Sequence, residues 1–150
     1  MTAPPPGTSF IVQYARVVRL RNRLERRSAP NIQAAVIALI EYEDDVISFF
    51  TMCWHVKDWI VNDDTIPLPV RDRIRIAANA SPPLQICHDI ANGAKHYTLT
   101  QPKVGYVSAR DVELVNEEDG RVGWKFLVVL PDGTSQVAHE LAADALRAWA

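Results

Sequence analysis

Three observations on the 150 residues predict an α+β fold, predominantly α. Over the first two thirds of the chain, apolar residues recur at steps of three and four, the signature of helices with one buried face. After about residue 100 the period falls to two and turn residues appear, the signature of short strands. The two kinds of segment follow one another rather than alternate, which excludes a doubly wound α/β sheet. The expectation is a helical bundle, a small antiparallel β-meander and a short C-terminal helix. These form one domain over 9–150, with the bundle at 9–99, the meander at 100–139 and the last helix at 140–150.

Residues 1–8 are a Pro-rich leader, expected to be disordered. A first helix over 9–28 is strongly basic, with Arg16, Arg19, Arg21, Arg23, Arg26 and Arg27 against the single acid Glu25. Val17, Val18, Leu20 and Leu24 form its apolar stripe, and Pro30 stops it. Asn31 is the expected N-cap of a long helix at about 32–62. Its stripe is Ala35, Leu39, Tyr42, Val46, Phe49, Cys53, Val56 and Ile60. Val36, Ile40, Ile47, Phe50 and Trp54 are expected to widen the buried face. The opposite side carries Glu41, Asp44, Asp45, Ser48, His55 and Asp58. Pro67 and Pro69 forbid a straight continuation. A short basic helix is expected at 69–79. Ser81 then caps another that begins with Pro82 and Pro83 and runs to about Tyr97.

In the second part, Val112 and Leu114 begin an alternation and Glu117–Gly120 form a turn. Val122 to Leu130 form a strand with Trp124, Phe126, Val128 and Leu130 on one face. A second turn at Pro131–Gly133 leads to a strand at 135–139. Leu141, Ala145, Ala148 and Trp149 stand at helical spacing.

Composition bounds the function. Apolar residues are 48% and charged residues 23%, close to the globular average, which excludes collagen-like and low-complexity chains. The net charge of −2 is a cancellation between the basic first helix and acidic turns, so bulk charge gives no nucleic-acid signature. Two cysteines, Cys53 and Cys87, are too few for a disulfide framework and form no C-x-x-C pair. They are expected as buried, reduced thiols. No stretch approaches the ~20 apolar residues of a membrane span, and no signal peptide is expected, so the protein is read as cytoplasmic with no membrane partner.

Phosphate loops, dinucleotide glycine patterns, nucleophile elbows and H-E-x-x-H are absent. The chemistry-bearing residues gather on two helices. One presents His55 and Asp58, one turn apart. The other presents His88, Asp89, Asn92, Lys95 and His96, of which Asp89, Asn92 and His96 share a polar face. Packed antiparallel, the two helices would bring these groups together. Imidazole serves as general acid or base near neutral pH, and a carboxylate orients it. His96, His55 and Asp58 are therefore the catalytic candidates, and Asp89, Asn92, Lys95 and His88 the ligand-binding ones. The same faces also suit simple contact with water. No Glu-x-x-His occurs, so no bundle-type metal site is expected, and no cofactor.

The segments Cys53-Trp54-His55-Val56-Lys57-Asp58-Trp59-Ile60 and Cys87-His88-Asp89-Ile90-Ala91-Asn92-Gly93-Ala94-Lys95-His96 resemble the HEPN-like helical-bundle domains of bacteria, over residues 31–97. The motif of that family is an arginine followed, a turn or more along the helix, by a histidine. His96 fills the histidine position. The arginine position falls among Asp89, Ile90 and Ala91, none of them basic. The resemblance implies a homodimer that binds RNA, a nucleotide or a protein partner in a defence or toxin–antitoxin setting. An enzyme alternative is metal-free RNA cleavage, with His96 as acid/base, Asp58 or Asp89 orienting it and Lys95 on the phosphate. A purely structural or protein-interaction module is the third expectation.

Overall fold

The computed structural model describes residues 10–96, 108–130 and 132–149, the side chains of 93–96 and 108–111 excepted. The leader at 1–8 lies outside the described residues. The order is α1 (Phe10–Arg23), β1 (Ser28–Ala29), α2 (Ile32–Val61), α3 (Leu68–Ala80), α4 (Pro82–His96), β2 (Ser108–Asn116), β3 (Val122–Val129), β4 (Ser135–Val137) and α5 (Ala138–Ala148). The fold is α+β and mainly α, with a small antiparallel sheet and a C-terminal helix.

The 30-residue α2 is the axis of the molecule. Asn31 caps it from an extended backbone, its side-chain oxygen accepting from the Ala34 N–H at 2.9 Å. At the other end the Asn62 backbone and side chain both donate to the Asp58 carbonyl. The periodic stripe is buried as the spacing predicts, from Ala35 through Tyr42, Val46, Phe49, Cys53 and Val56 to Ile60, with Leu39 half-buried. The flanking set divides. Phe50 and Trp54 are buried, whereas Val36 and Ile40 are 54% and 64% exposed. The reason is the reach of α4. Leu84 lines a cavity with Ile60, and His88 meets Trp54, so α4 runs antiparallel to α2. At equal rise it ends near the level of Val46, leaving the N-terminal half of that flank uncovered.

The first helix is shorter than its arginine pattern suggests. After Arg23 the chain unwinds through bonds to the third residue back, from Leu24 to Arg21, Glu25 to Asn22 and Arg26 to Arg23. Leu24 is fully buried there. The Arg27 carbonyl then accepts from Trp124 N–H at 3.0 Å, and Ser28 and Ala29 pair with Gly123 and Val122. A central strand that needs a hydrogen-bonding neighbour thus takes residues that the helical spacing assigns to α1. Val122 and Trp124 stay dry as a result.

β3 is the middle strand. β2 lies on one side of it, and β1 and β4 lie on the other, at its opposite ends. The β2–β3 hairpin sets Leu114 opposite Trp124 and Val112 opposite Phe126, with a register shift between Ser108 and Asp111. Gly120 and Gly133 take positive φ of 81° and 85° in the two turns, which other residues adopt at a cost. Trp124, Phe126 and Val128 face inward, where the Tyr42 ring stands 5.8 Å from both Trp124 and Phe126. The strand after the second turn is three residues long, because the chain becomes helical at Ala138. Ala138, Leu141, Ala142 and Ala145 of α5 are buried, and the Trp149 indole N–H donates to the Cys53 carbonyl at 3.0 Å. The aromatic cluster Phe49, Phe50 and Trp54 is core.

Candidate functional site

The antiparallel α2–α4 contact brings the two polar helix segments to one seam. On α2, His55 Nδ1 lies 3.7 Å from Asp58 Oδ2, both side chains about half exposed. Lys57 Nζ lies 3.9 Å from the other Asp58 oxygen and 4.2 Å above the Trp54 ring. Trp54 meets the His88 imidazole edge-on, with centroids 4.9 Å apart. On α4, His88 Nδ1 lies 2.9 Å from Asp89 Oδ1. The six side chains therefore form a connected series from the exposed His55–Asp58 pair to the interior Asp89.

Asp89 corrects the sequence reading. Its spacing from Asn92 and His96 suggests a wet face, yet its side chain is 0% exposed. The helical wheel assumes one covered arc. In the fold α4 is enclosed on more than one side, with Leu84, Ile86, Cys87, Ile90 and Ala91 all buried. The arc that reads as polar is inside the protein at Asp89. It emerges toward solvent at His88, whose side chain is 18% exposed, and at the half-buried Asn92. Lys95 and His96 occupy the last turn of α4, and their side chains lie outside the described residues.

Two members of the seam escape sequence reasoning as site residues. Trp54 reads as core because it belongs to an apolar flank, and Lys57 reads as a lone solvated charge. The signal that ties them is their position within one turn of His55 and Asp58, which matters only once His88 is known to face Trp54. Close beside the seam, burial and the neighbouring Cys53 thiol push the Cys87 thiol well up, so it stays protonated at neutral pH. Both cysteines are free and buried.

Chemically, the seam offers an imidazole held by a buried carboxylate, an ammonium fixed over an indole face, and a half-buried amide. When His88 Nδ1 carries the proton it donates to Asp89, which leaves Nε2 as the nitrogen for a ligand. Among the described residues no group of three or more His, Cys, Asp or Glu side chains is placed to hold a metal ion. A cavity of about 310 Å³ lies at the other end of α4, among Phe10, Ile60, Ile66, Ile74, Leu84 and Trp149. It is lined by apolar side chains alone and is separate from the polar seam.

No helix of the described residues is long and apolar enough to cross a membrane. Comparison of the chain with known protein families, with characterised proteins and with solved structures gave no match.

Proposed function

We propose that the α2–α4 seam is a binding site for RNA or a nucleotide, and that the protein is a divergent HEPN-like domain acting in a bacterial defence or toxin–antitoxin setting. The observation that carries this reading is Asp89, fully buried and bonded to His88 Nδ1 at 2.9 Å. A carboxylate is costly inside a protein, and an apolar residue would pack there at less cost. Its retention supports a role in orienting His88. An oriented imidazolium beside Lys57 suits a phosphate oxygen, and Asn92 suits a ribose hydroxyl or a base edge.

The test is binding of a fluorescent oligoribonucleotide and of ATP by the whole chain. Binding that weakens with salt, and falls at least tenfold in His88→Gln and in Asn92→Ala with the melting temperature kept, is the expected result. Failure of the wild-type chain to bind either probe overturns the reading.

Catalysis is the second reading, favoured by the same pair. An imidazole with one nitrogen on a buried carboxylate has the arrangement of a general base. Purified protein incubated with total RNA, with and without chelator, separates the two. Cleavage that survives the chelator and disappears in His88→Gln supports an enzyme, and intact RNA at high protein concentration sinks that reading.

A further inference from the structure

Away from the seam, Ile32, Val36, Ile37 and Ile40 stand on the uncovered flank of α2, and Val112 and Leu114 lie on the sheet face that α2 crosses. All six are between 38% and 64% exposed. Single apolar side chains on a surface need no explanation, but a ridge of them does. We infer that this face is an interface between two copies of the chain, α2 packed antiparallel on α2 about a two-fold axis at Val36.

Two observations select a second copy. The first is self-complementarity, which an isologous contact requires. Ile32, Val36 and Ile40 form one ridge at four-residue steps. A two-fold at Val36 sets Ile32 against Ile40 of the second copy and Val36 against itself. The second is charge. The first turn of α2 contains no acidic residue to meet the positive end of the helix dipole. Glu41 lies as many residues after Val36 as Asn31 lies before it. The same axis therefore brings the exposed Glu41, with Asp44 one turn further on, to the helix N-terminus of the second copy, twice by symmetry. Gln33, Glu41 and Asp44 rim the apolar centre, the usual anatomy of a specific interface.

Pairing through the open edge of β2 is disfavoured by comparison. A two-fold centred at residues 111 to 113 sets Asp111 and Glu113 against each other or against themselves. The register shift near Ser108 also breaks the edge. This inference does not depend on what the α2–α4 seam binds.

Light scattering on the eluted whole chain at micromolar concentration tests it. The wild-type protein is expected at twice the chain mass, and the Val36→Glu, Ile40→Glu double variant at 16.8 kDa with its helical circular dichroism kept. In a second arm, Val36→Cys under mild oxidation is expected to form a disulfide-linked dimer, because the axis juxtaposes the two copies of that position; the buried Cys53 and Cys87 of the wild-type chain are not. A monomeric wild-type chain, or a dimer that survives the double variant, overturns the inference. If the double variant loses its helices, the cysteine arm decides, and absence of the cross-link overturns it.

Discussion

Tyr42 shows how one residue joins the two kinds of structure. Its hydroxyl donates to the Leu24 carbonyl at 3.0 Å, holding the end of α1, while its ring lies on Trp124 and Phe126 of the sheet. Burial pushes its phenol up to about 12 from the usual 10.0, against a smaller opposing pull from Arg27. The folded pKa lies above the unfolded one, so this stabilisation is complete below about pH 10 and is lost as the pH rises toward 12. The loss amounts to about 2–3 kcal/mol. Denaturant titrations across that interval are expected to show the decline in the wild-type protein and a shallower one in Tyr42→Phe. The variant is also expected to be about 1 kcal/mol less stable at neutral pH for want of the hydrogen bond. Equal alkaline declines in both proteins would locate the titrating group elsewhere. At this scale the sequence is partly legible. The spacing buries Tyr42 correctly, but it sends Asp89 to water, because a wheel drawn for one helix does not record how many neighbours that helix has.

Elements were more legible than their ends. The stripe of α2 is long enough to predict both its span and its cap. Replacing Asn31 by Ala removes the acceptor for the Ala34 N–H and is expected to cost about 1 kcal/mol, on the order of 3 °C in melting temperature. A thermal melt indistinguishable from wild type would show that water replaces the cap. The exposed flank at Val36 and Ile40 was beyond sequence reasoning, since periodicity marks an apolar arc without saying how far along the helix a partner reaches. β1 was illegible for a different reason. Two residues have no period, and Ser28 and Ala29 become a strand only because β3 offers an edge at Val122 and Gly123.

For the whole molecule, α5 is the element that binds helices to sheet. Leu141 is 2% exposed where α5 packs, and Trp149 reaches the middle of α2. Leu141→Ala is expected to lower stability by about 3 kcal/mol. Helical circular dichroism and tryptophan fluorescence are expected to change together on unfolding, since Trp124 sits in the sheet and Trp54 and Trp149 in the helical part. Two separated transitions would show that the halves are independent. The segregation of helices and strands was legible from the change of period. Their mutual dependence was not, because it rests on single contacts such as Tyr42 on Trp124. The pairing of Ala29 with Val122 adds a matter of timing. Folding that must join residues so far apart in sequence is slow relative to helix formation. During synthesis α1 and α2 emerge first, and their apolar surfaces wait for β3 and α5 to be made. The nascent chain thus spends most of its elongation with Leu24, Tyr42 and Val46 unsheltered, a period in which a chaperone has something to hold.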